Sequence, residues 1–182
     1  MPVFCPSVIV PRIRIVRVPS GKPGTLHVAG IIGRMILAGA RDFFVRQRAI
    51  QILREAGVPP KDRLGEAFAL FRWVQSNVRY TRDILRVELL HTPRRMLELK
   101  AGDCDDMTIL LGSMLRSTGH PVRIVLCGFR RDRPHSYSHI YPEVHAQGRW
   151  IALDATMSHP PGWAPPALWI RTCLVTEEGL QC

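Results

Sequence analysis

The stretch that most constrains this chain is Gly102-Asp103-Cys104-Asp105-Asp106, which runs without a break into the apolar segment Met107–Leu115. A Gly-Asp turn, an acidic first turn and then a continuous apolar run mark the start of a helix. With Asp103 as the cap, Cys104 falls at the first helical position, where its sulfur can point out of the helix end into a cleft. The helix dipole and the unpaired N–H groups of that end favour a charged sulfur. The N–H of Cys104 can itself serve as one oxyanion donor. Asp106 stands three residues after the cap, close to a capping-box arrangement with Asp in place of Glu or Gln. The three carboxylates of Asp103, Asp105 and Asp106 oppose ionisation of the sulfur. Activation therefore calls for an imidazole.

Of seven histidines, His139 fits best, in Ser138-His-Ile-Tyr-Pro-Glu-Val144. On a strand, His139, Tyr141 and Glu143 share one face and point outward, while Ile140 and Val144 point into the core. Asp154 ends the next strand, in Trp150-Ile-Ala-Leu-Asp-Ala-Thr156, and can accept a hydrogen bond that fixes the imidazole tautomer. The hairpin between the two strands sets them side by side. The expectation is a Cys104–His139–Asp154 triad. Cys127, amid Val125, Leu126 and Phe129, reads as an ordinary core residue.

Around this segment the period of the apolar residues changes twice. Val8–Val18 is β-branched and partly alternating, and Pro11 restricts it to an edge strand or an extended arm. Pro19–Gly24 is a turn-rich linker. Residues 25–56 follow a helical pattern through Phe44, Ala49, Ile52, Leu53 and Ala56, with a division expected at Gly39 and a stop at Gly57-Val-Pro-Pro60. Asp62 caps a helix over Arg63–Val78 whose core stripe is Leu64, Ala67, Phe68, Phe71 and Val74. The run from Tyr80 to Val87 is irregular or strand-like, and Thr92 and Pro93 open a short helix that ends at Lys100-Ala-Gly102. After Gly119-His-Pro121 come strands at Val122–Phe129, His139–His145 and Trp150–Leu153, then a proline-rich tail and a last strand at Leu168–Val175. Helices followed by an antiparallel meander predict an α+β fold. The organisation expected is an arm and linker over 1–24 and one domain over 25–182, with a helical part (25–100), a core carrying the site (101–156) and a tail (157–182).

Composition narrows the setting. The chain has 182 residues, 46% hydrophobic and 22% charged, enough for a substantial core. Its net charge of +10 comes almost wholly from arginine, 22 against 3 lysines. That charge reads as a solvated surface, with an acidic or nucleic-acid partner as the functional alternative. No zinc-finger spacing and no aromatic-interleaved basic run is present. The five cysteines are odd in number and far apart, which indicates neither a disulfide framework nor a structural zinc site. Val28–Ala40, the longest apolar stretch near the N-terminus, is too short and too interrupted to span a bilayer. A reducing, cytoplasmic setting is the expectation.

The segments Gly102-Asp-Cys-Asp-Asp106, Leu110-Leu111…Leu115…Gly119-His-Pro-Val-Arg123, Ser138-His-Ile-Tyr-Pro-Glu-Val144 and Trp150-Ile-Ala-Leu-Asp-Ala-Thr156 together resemble the transglutaminase-like superfamily of papain-like cysteine enzymes, in its bacterial and tailed-phage form. The likeness covers about Leu70 to Thr156. It implies an α+β papain-like core with Cys104 as nucleophile, His139 as base and Asp154 as orienter. The implied chemistry is attack on an amide of a protein or peptide, a thioester intermediate, and water or an amine as acceptor. Asn77 and Tyr80, which precede the nucleophile, are the candidates for a second oxyanion donor. The reading includes no cofactor and no metal, because helix capping accounts for the aspartates beside Cys104. If the chain is phage-encoded, its setting is the host cytoplasm. The alternative is a non-catalytic phage or prophage assembly protein that binds nucleic acid or an acidic partner through its basic surface.

Overall fold

A computed structural model describes residues 13–82 and 89–182. Among them are five helices, α1 (Lys22–Arg41), α2 (Phe43–Glu55), α3 (Arg63–Asn77), α4 (Pro93–Leu99) and α5 (Cys104–Ser117). Two short strands, β1 (Arg79–Tyr80) and β2 (Ala101–Gly102), pair in parallel. The rest of the chain forms β3 (Val122–Gly128), β4 (His139–Ala146), β5 (Arg149–Ala152), β6 (Trp169–Thr176) and β7 (Gly179–Gln181). These last five make one antiparallel sheet in the order β5-β4-β3-β6-β7. The architecture is α+β.

The core is built on α5, which is buried from Asp106 to Leu115. It lies between the other helices on one side and β3 and β4 on the other. The close approach of α1 depends on Gly39, where a Cβ would fall 2.4 Å from Ser113 Oγ and 2.5 Å from Pro93 Cγ. That packing holds Gly39 inside α1. The break expected there comes instead at Asp42, whose carboxylate accepts the N–H groups of Phe44 (2.8 Å) and Val45 (3.2 Å) and so starts α2. The linker is also shorter than its composition suggests. Pro23 lies in the first turn of α1, where a missing N–H costs nothing.

Asp62 and Thr92 cap α3 and α4 as the sequence indicates, accepting from the N–H groups of Gly65 (2.9 Å) and Arg95 (3.3 Å). In α3 the fully buried stripe is Ala67, Leu70, Phe71 and Val74, with Leu64 and Phe68 at its margin. Residues 13–18 are an exposed arm outside any strand. The expected strand at Val8–Val18 otherwise falls outside the described residues, as does most of the stretch from Tyr80 to Val87.

Two features of the sheet depart from the sequence reading. The last strand continues through a turn into β7, and a disulfide joins Cys173 to Cys182. Leu174 pairs with Gln181, so the next residues outward, Cys173 and Cys182, come face to face. The absence of a disulfide inferred from scattered cysteines is thus corrected, since only the hairpin register makes partners of them. Disulfides are rare in reducing compartments, and the cysteine argument for a reducing setting falls with that inference. The second departure concerns the outward face of β4. Tyr141 and Glu143 are buried there, because Tyr141 packs with Val125, Cys127 and Ala152 in a second apolar cluster that Ala167 of the tail helps cover. No helix among the described residues is long and apolar enough to cross a membrane.

Candidate active site

The N-terminal turn of α5 is fixed from several directions. Asp103 caps it, its Oδ1 accepting from the N–H groups of Asp105 (3.0 Å) and Asp106 (3.2 Å). The N–H of Thr81 donates to the carbonyl of Gly102 (2.8 Å), which ties the turn to β1. Gly102 has to be glycine. A Cβ there would lie 2.6 Å from Asp106 Oδ2 and 2.7 Å from Met96 Cε. Asp106 forms only half of a capping box, because its side chain turns away to His91. Asp106 Oδ1 accepts the His91 backbone N–H (2.7 Å), and Oδ2 takes His91 Nδ1 at 2.8 Å.

Cys104 opens the helix, partly buried. The backbone of Ile140, the second residue of β4, faces α5 at this point. Its carbonyl accepts from Thr108 Oγ1 (3.2 Å), and its backbone offsets part of the upward shift of the Cys104 thiol. The nucleophile candidate therefore sits beside the start of β4, one residue from His139. His139 Nε2 is 2.7 Å from Asp154 Oδ2, and Asp154 is fully buried. An ionised carboxylate only accepts, so Nε2 carries the hydrogen, and in the neutral form of the ring this leaves Nδ1 its lone pair. The other oxygen of Asp154 is also engaged, accepting from the Thr156 N–H (3.1 Å) and hydroxyl (2.6 Å). Phe129 and Tyr141 flank the imidazole, with ring centres 6.4 and 6.2 Å away.

The electrostatics at the sulfur run against the simple helix-dipole expectation. Burial pushes the Cys104 thiol well above its usual range, and the charges of Asp105 and Asp103 push it further, against a smaller opposing effect of the Ile140 backbone. Its S–H points to Asp105 Oδ1 at 3.6 Å. Both effects favour the neutral thiol at Cys104. Tyr80 is next to this site through the register Tyr80↔Gly102. Its phenol is held above its usual range, first by burial and then by Cys104 and Asp103, so it remains a donor. Asn77 is engaged elsewhere, its amide donating to the Trp73 carbonyl of its own helix (2.9 Å).

Among the described residues, one group has the spacing of metal ligands: Asp103, Cys104 and Asp105, with one donor atom each within 4.8 Å of the others. The same residues supply the helix cap and the thiol contact. The residue that sequence reasoning missed is His91. It precedes the Thr92-Pro93 helix start and carries no local signal, and only the tertiary fold brings it to Asp106.

A family model described as the transglutaminase-like superfamily matches residues 50–155. No curated protein matches the chain in sequence. Many solved structures are similar in fold, and three of them follow. One is a candidate protease from Parabacteroides distasonis, with TM-score 0.58 and 13% identity over 78% of this chain and 27% of that one. Another is LapG from Legionella pneumophila, with TM-score 0.55 and 16% identity over 83% and 85%. The third belongs to the Rad4/XPC nucleotide excision repair complex, with TM-score 0.56 and 12% identity over 83% and 45%. The chain thus spans less than half of the first and third of these proteins.

Proposed function

Because the chain belongs to the transglutaminase-like superfamily, we propose that it is a cysteine-dependent acyl-transfer enzyme acting on amide groups of proteins or peptides. The observation that carries this reading is the convergence at the start of β4. Cys104 opens α5, whose Thr108 hydroxyl donates to the Ile140 carbonyl, and the neighbouring His139 has its Nε2 held by the buried Asp154.

In this reading His139 Nδ1 takes the proton of Cys104 as the sulfur attacks the carbonyl carbon. A neutral resting thiol makes this a base-assisted attack, without a stored thiolate–imidazolium pair. The negative oxygen of the tetrahedral intermediate is met by the Cys104 N–H and, on this reading, by the Tyr80 hydroxyl. Collapse breaks the C–N bond, the leaving amine takes the proton from His139, and a thioester remains on Cys104. Water or a primary amine then attacks the thioester and gives its proton to His139, the C–S bond breaks, and His139 returns that proton to the released sulfur. Asp154 keeps the same tautomer throughout.

The test is mass spectrometry after incubation with a glutamine-containing protein, with and without a primary amine. Amine-dependent mass gain identifies transfer, while cleavage or deamidation identifies hydrolysis, and Cys104→Ala abolishes either. Alkylation by iodoacetamide gives a second measure. Cys127 is fully buried, so a slow rate there is uninformative. The informative comparison is the Cys104 rate before and after His139→Ala. No dependence on His139 would refute the proposal.

A further inference from the structure

The site contains a second histidine–carboxylate pair that the proposed chemistry does not use. Asp106 lies two residues after the nucleophile, and its side chain is almost completely inaccessible. A buried carboxylate is unfavourable unless its oxygens are bonded. Here one residue bonds both of them, through the backbone N–H and Nδ1 of His91. Asp106 accepts at both oxygens, so His91 Nδ1 carries the hydrogen. The same carboxylate fills the space over Gly102 and fixes how closely the turn before Cys104 can lie.

We propose that His91 and Asp106 are positioning residues for the nucleophile, clamping the first turn of α5 to the segment before α4 so that Cys104 stays at the start of β4 beside His139. The clamp works with the Thr81–Gly102 hydrogen bond on the β1 side. Together they hold the turn from two stretches of chain that are separate in sequence. Loss of His91 has two consequences. The turn is freed to shift, and a buried carboxylate two residues from the sulfur keeps the backbone N–H of residue 91 but loses its Nδ1 partner.

The inference rests on the cysteine chemistry proposed above, and the experiment separates the two. The rate of iodoacetamide alkylation at Cys104 is followed by mass spectrometry for the full chain and for His91→Ala, His91→Gln, His91→Asn and His139→Ala. Each protein is first shown by circular dichroism to be folded at the assay temperature. The amide nitrogen of asparagine can occupy the place of Nδ1, whereas that of glutamine is one carbon further out. His91→Asn is expected to stay within about threefold of the parent, and His91→Gln and His91→Ala to fall about tenfold or more. If His91→Ala does not fold, the Asn and Gln variants decide the matter alone. Equal rates for His91→Asn and His91→Gln would overturn the clamp, whether both are fast or both slow. A parent-like rate in His139→Ala would instead overturn the cysteine chemistry itself.

Discussion

Asp154→Asn is the substitution with the clearest structural consequence. Asp154 Oδ1 is already taken by the N–H and hydroxyl of Thr156, both of which donate. An asparagine must keep its oxygen on that side, which turns its NH₂ toward His139 Nε2. Nε2 then has to accept, and the hydrogen moves to Nδ1, the nitrogen that takes the thiol proton in the proposed reaction. The geometry survives and the base is blocked. General-base assistance contributes about 10²–10⁴-fold to such steps, so Cys104 alkylation near neutral pH is expected to slow by about two orders of magnitude or more. Stability should change little by comparison. A charge-assisted hydrogen bond of about 1.5–3 kcal/mol is weakened, while the cost of burying a charge is removed. Thermal melting followed by circular dichroism gives one measurement, and time-resolved mass spectrometry of the alkylated Cys104 peptide gives the other. A folded Asp154→Asn protein with a parent-like rate would show that the tautomer argument is wrong. Asp154→Ala, which leaves Nε2 without a partner and both tautomers accessible, should lose less.

Two further predictions concern stability. His120 is fully buried, and burial, then the charge of Arg63, lower its pKa from 6.5 to about 4. Glu66 Oε2 lies 3.0 Å away without forming a hydrogen bond to the ring. The unfolded chain therefore binds more protons between pH 6.5 and 4, and stability contributed by the neutral ring is fully present above that window and lost as pH falls through it. The loss approaches about 3 kcal/mol at pH 4. Denaturant melts of the parent and of His120→Gln at pH 7 and 4.5 measure it, and an equal pH dependence in both would refute the assignment. Gly39→Ala forces a methyl group against Ser113 and Pro93. It is expected to cost about 1–3 kcal/mol, or about 2–12 °C in Tm for a chain of this size, and an unchanged Tm would contradict the packing described.

The positions of Cys104 at a helix start, His139 on a strand and Asp154 beside it were legible in the sequence because each sits in a local pattern that states its element. A Gly-Asp turn ahead of an apolar run gives the helix start, and alternation gives the strands. Caps at Asp62, Thr92 and Asp103 were equally plain, since a cap is an interaction within four residues. What needed the tertiary structure was every relation between segments of distant sequence. Gly39 suggested a break and is instead held in a helix, because Ser113 and Pro93 pack where its side chain would be. Cys173 and Cys182 looked unrelated until the β6–β7 register set them opposite each other. The outward face of β4 is sealed by a tail whose composition says only that it is irregular.

The pentapeptide at 102–106 draws the same line within itself. Sequence alone determined that Asp103 would cap and that Cys104 would open the helix, because backbone N–H groups at a helix end need a nearby acceptor. It also identified the opposing carboxylates. Only the tertiary structure decided that Asp106 would turn to His91 while Asp105 takes the thiol. A buried carboxylate must find its donors wherever the fold supplies them.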